Sequence, residues 1–140
     1  KIQKKDAEYL VQDAKQQILR SYPDKNIVHI IVTNYIIDDA YYDQLPLNLN
    51  CKKFCMNIQF ICLPKKTLKR IEEIFNVHQI YINKNICSNY AESFGKTINK
   101  TNICQLGFKI NQGANKLEVA IIDRKSEKIG FFERLFHFFK

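Results

Sequence analysis

The sequence predicts a small α+β domain in which a three-stranded antiparallel sheet carries two helices on one face. Segments whose apolar residues recur at helical spacing are interleaved with segments rich in β-branched residues, in the order helix, strand, strand, helix, strand. The length of 140 residues supports one hydrophobic core. A content of 46% hydrophobic and 26% charged residues is typical of a folded globular chain, so wholesale disorder is not expected.

The first two predicted elements are a helix and a strand. Asp6 belongs to a residue type that commonly caps helices, and apolar residues then recur every three or four positions as far as Ile18. From Asn26 the sequence reads NIVHIIVTNYIID, which is rich in β-branched and aromatic residues. This segment is predicted to be a strand that ends at Asp38 and Asp39.

A strand, a helix and a strand are predicted next. Residues 53–63, KFCMNIQFICL, place Phe54 and four further apolar residues on alternate positions, which is the pattern of a strand with a core face. Thr67 is predicted to cap a short helix that runs to Phe75 and has one apolar stripe. Residues 78–82, HQIYI, are predicted to be the third strand of the sheet.

Residues 95–127 are predicted to be a linker, because Lys, Thr, Asn and Gly recur there. The linker has room for one or two extra strands. Alternating apolar residues over 103–110 suggest one of them, and the apolar run LEVAII at 117–122 suggests the other.

The last segment, residues 128–140, is predicted to be an amphipathic helix. When it is drawn as a helix, its apolar residues cover about half of the circumference, and Arg124, Lys125 and Lys128 lie just upstream. Aromatic residues opposite a polar face, with cations nearby, are typical of a helix that lies in a membrane interface with anionic lipids. The residues expected to contact the membrane are Ile129, Phe131, Phe132, Arg134, Leu135, Phe136, Phe138, Phe139 and Lys140.

Two alternatives to membrane binding stay open for this segment. Its apolar side can bind a protein partner, or it can dock on its own domain, as apolar termini often do. The width of the apolar side favours an external target, because a domain of this size offers little surface to cover it.

The net charge of +8 leaves a nucleic-acid-binding module with a self-docked C-terminal helix as the alternative function. The lysines and arginines are spread along the whole chain, and no recognised nucleic-acid-binding motif accompanies them. Nucleic acid is therefore not expected as a partner.

No catalytic, metal or cofactor site is expected. The five cysteines lack paired spacings, the three histidines are isolated, and four glycines form no phosphate-binding loop. Asp38, Asp39 and Asp43 are candidates for paired carboxylates, but adjacent side chains on a strand point to opposite faces. The chain is therefore predicted not to be an enzyme.

Several residues follow one another in the order of a known pattern. Ile27, His29, Tyr35 and Asp38 fit I-x-H-x-x-x-x-x-Y-x-x-D, Pro46 fits a turn after it, and YAES at 90–93 fits a closing segment. In this order and spacing, residues 1–94 resemble the inserted subdomain of the FtsA family of bacterial cell-division proteins. The resemblance implies an SHS2 fold for this module and a non-catalytic role in binding other proteins. Asn48 and Cys51 depart from it, because small residues or glycines are expected at that turn.

The resemblance also implies partners and a location. Family members bind FtsZ and later septal proteins, and a C-terminal amphipathic helix similar to residues 128–140 holds them on the inner face of the cell membrane at the division site. The chain is accordingly expected to be cytoplasmic and peripheral on that membrane, as a divisome protein or a piece of one. The partner-binding residues are not assigned, and self-association stays open.

The family's nucleotide-binding turn has no counterpart. LEVAIID resembles the strand and aspartate that precede that turn, but Arg124, Lys125 and Ser126 stand where the family has glycines. Their side chains prevent the close backbone approach to phosphate that glycine allows. The resemblance therefore implies the interaction module and the tail without the ATP-binding core.

Overall fold

Four helices and four strands lie within residues 1–119, the part of the chain that the structure, a computed structural model, describes. The α+β class and the small antiparallel sheet are confirmed. The elements are α1 (Lys4–Ser21), β1 (Lys25–Ile37), β2 (Ala40–Tyr42), β3 (Phe54–Pro64), α2 (Lys65–Asn76), α3 (Ser88–Thr97), α4 (Ile103–Asn111) and β4 (Glu118–Val119). The predicted terminal helix and the second half of the predicted strand at 117–122, residues 120–122, lie outside the described residues.

Strand β1 is the centre of the sheet. It pairs with β3 along its whole length, from Lys25 opposite Pro64 to Ile37 opposite Phe54. The short strands β2 and β4 both pair with its other edge. Every strand of the described residues therefore contacts β1, whose β-branched sequence suits a strand that is covered on both faces.

A tight turn joins β1 to β2. Asp38 and Asp39 have φ of 46° and 68°, and positive φ at both central residues is the mark of a type I′ hairpin turn, in which Asp is favoured. The Asp38 carboxylate accepts hydrogen bonds from the backbone N–H groups of Lys52 and Lys53, at 3.0 and 2.8 Å. This aspartate therefore fixes the start of β3 against the hairpin, and the adjacent acidic pair has a structural explanation.

Helices cover both faces of the sheet, which differs from the prediction of two helices on one face. Ala7 and Val11 of α1 pack with Ile30 and Val32 of β1, whereas Ile31 packs with residues of α3 and α4. Neighbouring residues of a strand point to opposite faces, so the two clusters lie on opposite sides of β1. Leu106, Ile110 and Val119 are each 1% exposed, so the packed core continues beyond the predicted boundary at Phe94.

The predicted strand at 103–110 is wrong, because this segment is helix α4. Asn102 caps the helix by accepting a hydrogen bond from the N–H of Gln105 at 3.0 Å. Leu106 and Ile110, four residues apart, are buried, while Phe108 between them is 63% exposed. The apolar residues of this segment therefore follow helical spacing, and the alternation at 106, 108 and 110 is incidental.

The α3–α4 contact depends on Gly95. A Cβ atom there would lie 2.5 Å from the Lys100 carbonyl oxygen and 2.6 Å from Leu106 Cδ1, distances that real Cβ contacts do not reach. Only glycine therefore allows α4 to pack this closely against the end of α3.

The predicted third strand at 78–82 is also wrong. The N–H of Ile80 donates to the Phe75 carbonyl at 3.1 Å, and that of Gln79 to the Asn76 carbonyl at 2.9 Å. Gln79 has a φ of 57°, so these bonds form a Schellman turn that ends α2. The helix C-terminus occupies residues that were expected to start a strand, and the chain then runs without regular structure to Cys87.

Two predicted caps lie inside their helices. Helix α1 begins at Lys4, and the Asp6 carboxylate accepts from the N–H of Gln3 at 2.7 Å, as the third helical residue does in a capping box. Helix α2 begins directly after Pro64, which places Thr67 in its first turn.

We expect Leu106→Ala to lower the free energy of unfolding by about 2–5 kcal/mol, because it leaves a cavity between α4 and the sheet. Phe108→Ala, two residues away on the exposed side of α4, is the matched control and should change it by less than about 0.5 kcal/mol. Urea unfolding followed by circular dichroism measures both, and equal effects would contradict the packing of α4.

Candidate functional site

A fully buried histidine lies at the centre of the molecule. His29 of β1 is 0% exposed and shares the sheet face that α3 and α4 cover. Its Nδ1 lies 2.8 Å from Glu118 Oε1, and its Nε2 lies 3.0 Å from the backbone nitrogen of Cys87. Because the Cys87 N–H can only donate, Nε2 accepts, and the neutral ring carries its proton on Nδ1 and donates it to Glu118.

Tyr90 of α3 completes the contact. Its hydroxyl donates to Glu118 Oε2 at 2.7 Å and accepts from Asn115 Nδ2 at 2.8 Å. Its ring lies 4.4 Å from the His29 ring, centroid to centroid. The pKa of this hydroxyl is raised well above its ordinary value, mainly by burial and to a smaller extent by the hydrogen bond to the Glu118 carboxylate. The hydroxyl therefore stays protonated and acts as a donor.

Glu118 is an ionised carboxylate in a nearly closed environment. Its side chain is 10% exposed, and this burial is the largest single influence on its pKa and acts to raise it. Hydrogen bonds from His29 and Tyr90, together with the ammonium group of Lys84 at 3.7 Å, outweigh the burial and hold the pKa below its ordinary value. The carboxylate thereby ties β4 to β1 and α3.

The hydrogen bonds define what this network can do chemically. Both ring nitrogens of His29 and both oxygens of Glu118 already have partners. His29 cannot take a proton on either ring nitrogen without first losing one of these bonds. The arrangement is therefore suited to joining three elements, and we assign it a structural role.

A cavity of about 490 Å³ lies against the network. Glu118 and Lys84 are part of its wall, and helices α1 and α2 supply one side. Its lining combines opposite charges, amides and apolar side chains: Lys15, Leu19, Asn26, Ile27, Val28, Leu68, Glu72, Asn83, Lys84, Asn85 and Glu118. Two lysines face two glutamates, so the wall has no net charge that would select an anion or a cation.

Helix α2 and its C-terminal turn carry an exposed apolar surface. Ile71, Ile74 and Phe75 of its stripe are 37%, 58% and 42% exposed, and the Schellman turn brings residue 80 back beside Phe75. Val77 is 80% exposed and Tyr81 is 77% exposed. We call this the α2 surface, and it consists of Ile71, Ile74, Phe75, Val77, Ile80 and Tyr81.

Some of the residues that carry the resemblance come together. His29 and Tyr90 are in contact, although 61 positions separate them, and Ile27 lines the cavity.

Tyr35 is buried on the opposite face of the sheet, in the cluster that α1 covers. Burial raises its pKa to about 12, and its hydroxyl has no hydrogen-bond partner among the described residues. Asn48 has a φ of 64°, the region that glycine favours and that asparagine also tolerates.

Other predicted features are placed as follows. The membrane-binding residues 129–140 lie outside the described part. Glu118 and Asn115 were missed by sequence reasoning. The signal for Glu118 was an acidic residue inside the apolar run LEVAII, and Asn115 had none. All five cysteines are free. Within residues 1–119, no group of three or more metal-ligating side chains is placed to hold an ion, and no helix is long and apolar enough to cross a membrane.

Comparison of the chain with protein-family models, with curated proteins and with solved structures returns no match in any of the three.

We expect Tyr90→Phe to lower the free energy of unfolding by about 1–3 kcal/mol, because it leaves a Glu118 oxygen and the Asn115 amide without their partner. Tyr81→Phe removes the same hydroxyl from a tyrosine on the surface and should leave stability unchanged. Denaturant unfolding of both variants gives the comparison, and a silent Tyr90→Phe would contradict the network.

The Glu118 carboxylate should make stability depend on pH. Its pKa is lowered by folding, so its contribution is complete at neutral pH and is lost as the pH falls through 4.5, its ordinary value, towards the folded value. The difference in unfolding free energy between wild type and Glu118→Gln should therefore shrink as the medium is acidified. Glu92→Gln, at an exposed position of α3, is the control and should show no such trend.

Proposed function

We propose that this chain is a non-catalytic adaptor of the cell-division type, which binds a protein partner through its folded module and an anionic membrane through residues 128–140. The α2 surface is the observation that carries the protein-binding half. Six apolar side chains on one helix and its turn are each more than a third exposed, and exposed apolar surface is typical of protein interaction sites.

The membrane-binding half rests on the sequence of the tail. Five of the ten phenylalanines fall in residues 131–139, and five Lys or Arg accompany them from Arg124 onwards. An apolar stripe supports insertion at the interface, and nearby cations support binding to anionic headgroups. One such segment binds weakly, so firm attachment requires several copies held together.

The division role rests on the resemblance to the FtsA family. His29 and Tyr90, two residues that carry the resemblance, also form the central contact of the fold. FtsZ or a later septal protein on the inner face of the membrane is therefore the proposed partner class, and the α2 surface is the proposed contact.

Membrane binding is tested by flotation with vesicles of phosphatidylglycerol and phosphatidylcholine in equal parts. The wild-type chain should float with the vesicles, and Phe132→Glu with Phe136→Glu should remain in solution, because two carboxylates then lie on the apolar side. The control pair, Glu133→Gln with His137→Gln, changes the polar side and should float like wild type.

Flotation of the Phe132 and Phe136 variant at the wild-type level would contradict the assignment of the apolar side. If the wild type stays in solution and instead binds oligonucleotides with a steep salt dependence, the basic nucleic-acid-binding alternative replaces the adaptor.

A further inference from the structure

We infer that the cavity between α1, α2 and the start of β1 binds a free α-amino acid with an aliphatic side chain, whose carboxylate meets Lys15 and whose ammonium group meets Glu72. The volume of about 490 Å³ is within the range of small-molecule sites, about 300–1,000 Å³. None of the residues that line the cavity belongs to the α2 surface, so the site does not depend on the proposed protein or membrane contacts.

Two of the four charged side chains in the cavity wall already pair with each other. Lys84 Nζ lies 3.7 Å from Glu118 Oε1, and both oxygens of Glu118 also accept hydrogen bonds from the buried network. Lys15 and Glu72 line the same cavity but form no ion pair with any residue of the described part. One ammonium group and one carboxylate are therefore available to a ligand, and a zwitterion satisfies both of them.

The two helices present apolar and charged side chains in the same order. Lys15 and Leu19 are four residues apart on α1, and Leu68 and Glu72 are four residues apart on α2, so each pair lies on one face of its helix. The first N–H of α2 donates to the carbonyl of Asp24 at 2.8 Å, which joins the start of α2 to the turn that follows α1. Along each helix the leucine is nearer to this junction, and the charged residue lies one turn further from it. This order suits a molecule that has an aliphatic group at one end and two opposite charges at the other.

A β-bulge completes the apolar part of the cavity. Ile27 of β1 lies opposite Cys62, and His29 lies opposite the residue next to Cys62, so Val28 is an extra residue in β1. Neighbouring residues of a regular strand point to opposite faces, whereas Ile27 and Val28 both line the cavity. Bulges are frequent next to active sites because they redirect side chains in this way. Leu68 is the one buried residue of α2, so the space between this helix and the bulge is left open to a ligand.

The ligand class is tested by titrating the isotope-labelled full chain with L-leucine and following its backbone amide signals. The signals of Val28, Leu68 and Glu72 should shift saturably, with a Kd of about 1 mM for a ligand of this size. The signal of Ala40, which lies opposite the far end of β1, should stay in place. N-acetyl-L-leucine lacks the ammonium group and L-leucinamide lacks the carboxylate, so each should bind about fivefold more weakly than L-leucine.

The absence of a saturable shift with L-leucine overturns the inference. Equal binding of L-leucine and its two analogues overturns the zwitterion as the ligand class, because a purely apolar site does not distinguish them.

The two anchors are identified by combining variants with analogues. Glu72→Gln should weaken the binding of L-leucine about fivefold and leave that of N-acetyl-L-leucine unchanged, because this analogue has no ammonium group to lose a partner. Lys15→Gln should weaken the binding of L-leucine to a similar extent and leave that of L-leucinamide unchanged. Arg20→Gln and Glu73→Gln are the matched controls, because each lies directly beside a lining residue but outside the cavity wall, and both should bind L-leucine like wild type. A variant of Lys15 or Glu72 that binds L-leucine like wild type overturns the assignment of that anchor.

Discussion

The fold depends on one buried carboxylate. Glu118 accepts hydrogen bonds from a histidine 89 positions earlier and a tyrosine 28 positions earlier, and so joins the last described strand to the central strand and to α3. A charge at this depth is unfavourable unless its partners are in place. The carboxylate therefore stabilises the arrangement in which β1, α3 and β4 meet. An arrangement that separates these elements leaves the charge without partners, which costs more free energy than the separation of a pair of apolar side chains.

The elements that could be predicted from sequence are those whose burial follows a simple period. Helix α1 and strand β3 bury one face and strand β1 lies at the sheet centre, so spacing revealed them. Helix α2 has an apolar stripe at helical spacing although most of that stripe is not buried. The two wrong strands have a different cause, because a local hydrogen-bond pattern decides there: Gln79 in a left-handed conformation ends α2, and the Asn102 cap starts α4. The apolar residues of these two segments fit both the helical period and the strand period. Only the residues that form the turn or the cap distinguish a helix from a strand there.

The candidate sites divide in the same way. His29 and Tyr90 were singled out as parts of an ordered pattern, but their meeting with Glu118 and Asn115 is a property of the folded chain and has no local sign in the sequence. The α2 stripe was visible as a helix face, whereas its exposure was not, because periodicity does not show which faces find a neighbour. Helix α1 has an apolar face of the same kind and buries it on the sheet.

Gly95 has a consequence for recognising related chains. Its missing side chain fixes the distance between α3 and α4, and that helix pair carries Tyr90 into contact with His29. A glycine at this place, a histidine in the central strand, a tyrosine early in α3 and an acid in β4 are thus one interdependent set. Relatives that have diverged in their tails and surface charges should still share this set, which makes it a more durable signature than the aromatic terminus.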